Sequence, residues 1–198
     1  MVKVSLNDIQ KLRTMTGLGM LDCKKTLEES EGSIEKAIEI LRKRGVALAG
    51  KRADKETTQG LVYAYIHPGD QTGVLVEINC ETDFVARTPA IREFAKDVAM
   101  HIAAIKPAYL SPEEVSQEFL DKEREIAIAQ LKEQGKPANM IEKIVEGKMN
   151  KISNDVSLLK QPFVKNDQKT IEAIIQELSA KTGENIKIKR FCRFVIGE

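Results

Sequence analysis

Two short apolar runs, Leu61 to Ile66 and Val74 to Asn79, flank His67-Pro68-Gly69-Asp70-Gln71-Thr72-Gly73, a stretch rich in turn formers. This feature restricts the chain most, because it predicts a β-hairpin where the apolar residues on either side recur at helical spacing. A further strand-like run closes the chain: between Ile186 and Ile196, alternation puts Ile186, Ile188, Cys192, Phe194 and Ile196 on one side, with Arg190 the exception. Pairing it with the hairpin gives a three-stranded antiparallel sheet covered by helices, an α+β fold.

From Ser5 to Arg44, Ile9, Leu12, Leu18, Cys23, Leu27, Ile34, Ile38 and Leu41 fall at roughly helical intervals, broken at Thr16-Gly17-Leu18-Gly19 and Glu31-Gly32-Ser33. Three short helices follow, with Gly45 as the stop. A bundle of about 45 residues lies near the lower limit for independent folding, so its core must be compact. The charged stretch Lys51-Arg52-Ala53-Asp54-Lys55-Glu56-Thr57-Thr58-Gln59 reads as a linker. The expected organisation is therefore a helical domain over residues 1–48, a linker over 49–59 and an α+β core over 60–198.

Within that core, Pro89 suits the first turn of a helix whose stripe is Ile91, Phe94, Ala95, Val98, Ile102 and Ile105, expected to cover the hairpin. Ser111-Pro112-Glu113-Glu114 has the capping-box pattern and predicts a long helix from there to Gln134, ended by Gly135 and Pro137. Met140, Ile141, Ile144, Val145, Met149 and Ile152 mark its antiparallel mate, so residues 111–152 form a helical hairpin. A last helix over Thr170 to Ala180 precedes the turn Thr182-Gly183-Glu184-Asn185.

A chain of 198 residues that is 42% hydrophobic can bury a real core. Its 31 Lys and Arg against 30 Asp and Glu leave a net charge of +1, which gives no global reason to expect nucleic acid or acidic lipid. Cys23, Cys80 and Cys192 are odd in number, widely spaced and without a CxxC pair, which argues against a disulfide framework or a zinc site. The opening Met1-Val2-Lys3-Val4-Ser5 carries no targeting pattern and no later run approaches membrane-spanning length, so the expected location is the cytoplasm.

Several residues invite a chemical reading. Glu77, Glu81 and Asp83 are close enough in sequence to hold a divalent cation, yet no second ligand group follows, and a solvated strand end is the better account. Cys80 with His67 or His101 has the composition of a nucleophile and base, but His101 borders an apolar stripe and suits a packed role, while free cysteines commonly serve as small apolar side chains. His67, in the hairpin turn, is expected to be exposed. Phe84 follows a strand and an acidic turn in a chain with six Phe, three Tyr and no Trp. The residues alone divide it evenly between capping its own helix in the core and anchoring an interface. Two basic stretches, Arg42-Lys43-Arg44 with Lys51, Arg52 and Lys55, and Lys187, Lys189, Arg190 and Arg193, lack the aromatics and glycines of single-strand RNA readers and read as solvated faces.

Three stretches together are more specific than any one of them. The segment from Leu12 to Lys25, LRTMTGLGMLDCKK, resembles the N-terminal signature of elongation factor Ts, and that from Glu77 to Arg87, EINCETDFVAR, resembles its core signature. Gln161-Pro162-Phe163-Val164-Lys165 and Phe191-Cys192-Arg193-Phe194 match its C-terminal pattern in order and position. The resemblance implies a ubiquitin-associated-like three-helix domain at the start and an exchange factor for translation elongation, not an enzyme in the covalent sense. It implies binding to elongation factor Tu carrying GDP, whose release is accelerated, with no cofactor or metal of its own.

By matching residue for residue, Asp83 and Phe84, flanked by Thr82 and Val85, correspond to the pair that intrudes beside the magnesium and phosphate end of Tu's nucleotide site. Arg13, Met20 and Leu21 correspond to the N-terminal domain's contact with Tu. One hairpin and one terminal strand resemble the short form of the family, which implies a two-fold homodimer, with His67, Thr182 and Gly183 acting on Tu from the neighbouring protomer. Cys192 at such an interface faces two readings, a cysteine meeting its own copy and an ordinary buried thiol; a reducing cytoplasm favours the second.

Overall fold

The computed structural model describes residues 4–198. The opening Met1-Val2-Lys3 of the expected helical domain, and the side chains of Arg42, Val46, Leu48 and Ala49, lie outside the described residues. By contact the chain divides into two compact units: one takes the residues up to Leu61 with Ile78–Arg92 and Ala173–Lys187, the other Val62–Glu77, Glu93–Glu172 and Ile188–Glu198.

The first unit opens with α1 (Leu6–Thr16), α2 (Met20–Glu29) and α3 (Ile34–Arg52). Ser5 and Ser33 cap α1 and α3 by accepting from the Asp8 and Lys36 N–H groups, which satisfies donors the first turn leaves free. Gly17 ends α1 at a positive φ of 70°, where a side chain would be strained, and its N–H closes on the Arg13 carbonyl at 2.7 Å. Ile9, Leu12, Cys23, Leu27 and Ala37 form the buried centre of the three helices.

Gly45 does not stop α3, as expected from the sequence; the helix continues to Arg52 and takes the start of the expected linker with it. The missing side chain serves close packing instead. A Cβ at Gly45 would stand 3.0 Å from the Ala180 Cβ, so the glycine lets two helices approach.

The strands are β1 (Gln59–Ile66) and β2 (Thr72–Cys80), joined by the predicted turn. A four-residue helix, α4 (Asp83–Ala86), and α5 (Pro89–Ile105) follow. Ile91, Phe94, Ala95, Val98 and Ile102 are buried along α5 as the stripe predicts, but Ile105 at its end is exposed. The capping box at Ser111 does not start a long helix either. Pro112–Glu114 form a single 3-10 turn, Ser111 makes no capping bond, and buried Val115 takes an extended conformation that breaks the run. The cap passes to Ser116, which accepts from the Phe119 N–H to open α6 (Gln117–Glu133).

Gly135 and Pro137 separate α6 from α7 (Ala138–Asp155), and Ala127, Leu131, Ile141, Val145 and Met149 bury the seam of the predicted helical hairpin. Met140, assigned to that stripe by spacing, is exposed. A short pair, β3 (Pro162–Phe163) with β4 (Asn166–Thr170), precedes α8 (Ile171–Thr182) and β5 (Lys187–Val195).

The main sheet has the order β1-β2-β5 and is antiparallel, the α+β architecture expected from the sequence. Along β5 the covered side changes after Lys189 and Arg190, which are both exposed: Phe191, Arg193 and Val195 are the half-buried positions of its second half. Ile186 and Ile188 are buried, whereas Cys192, Phe194 and Ile196 are exposed, which corrects the reading of Cys192 as a buried thiol. Val62 and Ile66 of β1 and Leu75 of β2 are bare as well.

Candidate functional site

The chain leaves β2 at Cys80, which is buried, and turns sharply. Thr82 is extended, and its hydroxyl accepts from the Val85 N–H at 3.4 Å, the capping geometry that starts α4. Thr88 closes the other end, donating its hydroxyl to the Val85 carbonyl at 2.8 Å. Successive side chains on a helical turn are about 100° apart, so with Ala86 buried, Phe84 two residues earlier points to the opposite side. Phe84 is 80% exposed, the most exposed of the large apolar side chains among the described residues. This resolves the even division the sequence left: Phe84 does not cap the core. Asp83 beside it is half-buried and pairs with Arg87 at 2.9 Å.

Three segments far apart in sequence support this turn. Glu184 accepts from the Glu81 and Thr82 N–H groups, both at 3.1 Å, and from the Thr82 hydroxyl at 2.6 Å. Arg52, at the end of α3, donates through one nitrogen to both carboxylate oxygens of Glu81 at 2.8 Å. The Asn185 N–H donates to Glu81 at 2.6 Å, while its side-chain amide reaches the Ala53 and Lys55 carbonyls. The Asn185 N–H, and after it the Arg52 guanidinium, hold the Glu81 carboxyl below the usual carboxylate range.

The enzyme-like readings find no support in this geometry. Burial, helped by the nearby Glu184 carboxylate, pushes the Cys80 thiol up, and its S–H donates to the Thr82 carbonyl at 3.1 Å. His67 is exposed and meets the Tyr65 hydroxyl at 3.0 Å. His101 is buried, with Nε2 3.0 Å from Gln161 Oε1 and Nδ1 accepting from the Val164 N–H at 3.2 Å. Glu77 pairs with Arg190 at 2.7 Å. Among the described residues no group of His, Cys, Asp and Glu is arranged to hold a metal, and no helix is long and apolar enough to cross a membrane.

Several members of the basic stretches are answered by carboxylates and carbonyls: Lys43 by Glu39, Arg44 by Glu29, Arg193 by Glu198 and Lys187 by the Ala53 carbonyl. Arg13, Met20 and Leu21 are exposed at the end of α1 and the start of α2. In the same unit the Lys181 side chain lies beside Gly17, 2.8 Å from where a Cβ would stand. Thr182 and Gly183 form the half-buried turn that ends α8 and presents Glu184. His67 belongs to the other unit. Sequence reading missed Arg52, Glu184 and Asn185. The opposite charges of Arg52 and Glu81 were visible, but 29 residues separate them and no local spacing links the two.

Comparison with known proteins gives a consistent result. The family model described as Elongation factor TS matches residues 4–198. The chain is 55% identical over 190 residues to Elongation factor Ts of Carboxydothermus hydrogenoformans, covering 96% of this chain and 88% of that one. It is 52% identical to the protein of that name from Thermotoga neapolitana, over 100% of this chain and 99% of the relative. A third, from Thermosipho melanesiensis, is 50% identical over 98% of this chain and 100% of its own length.

Proposed function

Since the chain belongs to the elongation factor Ts family, a family of translation elongation factors that serve nucleotide exchange on elongation factor Tu, we propose that Asp83 and Phe84 are the wedge that drives GDP from Tu. The observation that carries this reading is Phe84, 80% exposed on a turn capped at both ends. A large apolar side chain presented to water on a fixed backbone turn gains by entering a partner's pocket, and the turn beneath it loses little entropy on doing so. Arg87 is largely exposed and the half-buried Asp83 still meets water, so their pair stabilises the free protein little and releases the carboxylate readily. Delivered to the magnesium and phosphate end of Tu's nucleotide site, a bulky ring and a negative charge disturb the ion's ligands and the switch elements. No covalent bond changes. Coupling is reciprocal, so GDP weakens this protein's hold on Tu by the factor with which the protein weakens GDP binding.

Thr82 and Val85 support the wedge from either side. The helical domain is UBA-like, offers Arg13, Met20 and Leu21 to Tu and extends with α3 to Arg52, four residues past the expected boundary of 1–48, so the linker is the remainder of 49–59 and the core follows as residues 60–198. The protein acts as a cytoplasmic two-fold homodimer, with His67, Thr182 and Gly183 meeting Tu from the second protomer. The bare side of the sheet, with Val62, Ile66, Leu75, Phe194 and Ile196, supports this pairing, since contiguous exposed apolar surface marks an interface. The deciding experiment is release of fluorescent GDP from purified Tu with and without this protein. Acceleration is expected, and unchanged release overturns the reading.

A further inference from the structure

Asp83 and Phe84 stand on a helix of a single turn, too short to hold its own shape. What fixes their direction must come from outside it. The Thr82 hydroxyl has one hydrogen and two lone pairs; it gives the hydrogen to Glu184 Oε1 at 2.6 Å and turns a lone pair to the Val85 N–H. The second Glu184 oxygen takes the Glu81 and Thr82 N–H groups at 3.1 Å. The two N–H groups can only donate, so the oxygen opposite them must accept, and here the hydroxyl donates to the other oxygen as well. A carboxylate accepts all three, whereas an amide of the same shape keeps the set only if the hydroxyl surrenders its donation and accepts instead. Glu184 is itself held: its N–H donates to the Thr182 hydroxyl at 3.4 Å, and the neighbouring Gly183 N–H donates to the Ser179 carbonyl at 2.8 Å.

We infer that Glu184 is the positioning residue of the exchange wedge, a carboxylate clamp that orients the Thr82 cap and through it aims Asp83 and Phe84. The inference rests on the reading of Asp83 and Phe84 as that wedge. Glu184 itself is half-buried and acts through the turn it holds.

The variant Glu184→Gln tests this, because it keeps size and shape but presents an NH2 group either to the Thr82 hydroxyl or to the two backbone N–H groups. Purified Glu184→Gln is expected to unfold within a few degrees of the parent, and amide hydrogen exchange at Glu81 and Thr82 is expected to quicken. Misplacing a group by about 1 Å can cost roughly 100-fold, so maximal stimulation of GDP release by Glu184→Gln should fall on the order of tenfold. Adding Glu184→Gln to a variant that carries both Asp83→Ala and Phe84→Ala should slow release no further, since the clamp then has nothing to aim. Parent-like stimulation by Glu184→Gln alone, or a further loss when it is added to the Asp83→Ala, Phe84→Ala variant, would overturn the inference. Unchanged amide exchange at Glu81 and Thr82 would also do so. If the unaltered protein fails to accelerate release, the wedge reading falls, and the amide measurement alone decides whether Glu184 holds the turn.

Discussion

Replacing Phe84 with alanine separates a structural role from a binding one, because the two predict effects of different size in different assays. With 80% of the residue in water, about a fifth of the gain from burying a Phe side chain is at stake in folding. A full gain of roughly 1.5–3 kcal/mol gives about 0.3–0.6 kcal/mol. For a chain near 200 residues that moves the thermal midpoint by about 1–2 °C. A core phenylalanine would cost about 3–5 kcal/mol. At the interface the arithmetic reverses. A Phe buries roughly 200 Å², and covering the exposed four fifths at about 25 cal/mol per Å² is worth about 4 kcal/mol. Truncated interface anchors cost at least about 2 kcal/mol, so stimulation of GDP release should fall about 30- to 1,000-fold. The assay is release of fluorescent GDP from Tu across a range of factor concentrations, alongside thermal unfolding of the variant. Release as fast as with the parent protein would refute the reasoning, and so would a midpoint lowered by ten degrees.

Three further outcomes follow from the same geometry. Cys80→Ser keeps a donor for the Thr82 carbonyl and should leave GDP release within about twofold of the parent, whereas a role as nucleophile requires its abolition. His101 is held neutral by burial, against a weaker opposing pull from Gln161, so its folded pKa lies below the unfolded value of 6.5. The unfolded chain therefore binds the extra proton first; the stability His101 contributes is complete above pH 6.5 and is lost as pH falls through its folded pKa. Thermal midpoints from pH 8 to pH 5 should show that decline, and His101→Gln should flatten it; an equal decline in the variant counts against the assignment. Gly45→Ala gains about 1 kcal/mol of helix propensity, but overpacking costs about 1–3 kcal/mol, so with the Ala180 Cβ at 3.0 Å the midpoint should drop; a rise would show that the helices can part.

The hairpin, the helical stripes and the terminal strand were legible because each is a local pattern whose period the chain repeats over several residues. The errors came where one residue type serves two purposes. Gly45 suits a helix end and suits helix contact, and only the neighbour at Ala180 distinguishes them. Ser111 and Ser116 both offer caps five residues apart, and the burial of Val115 decides between them. On β5 the spacing predicted one covered side throughout, but burial changes phase after Ile188, so Phe191, Arg193 and Val195 are the covered positions of its second half and Cys192, Phe194 and Ile196 the exposed ones. The tip was legible as a motif and opaque as a structure: Phe84 is surrounded in sequence by residues that suit either direction, and burial of Ala86 sends it outward.

Extension of α3 and exposure of Phe84 are connected. Had Gly45 ended the helix, Arg52 would belong to a loose charged linker, and Glu81 would lose a side-chain cation that grips both its oxygens. The glycine that α3 runs through admits Ala180 of α8, and α8 ends in the turn that carries Glu184 and Asn185. The same pair of helices thus delivers both halves of the support: Arg52 from the end of one, and Glu184 with Asn185 from beyond the end of the other. A short helix with one buried residue cannot hold an exposed aromatic still by its own hydrogen bonds. Rigidity at the tip is borrowed from helices whose own packing is set by residues far from it in sequence. Damage to the α3–α8 contact should therefore weaken exchange even where Asp83 and Phe84 are untouched, and Gly45→Ala should slow GDP release as well as lower the midpoint.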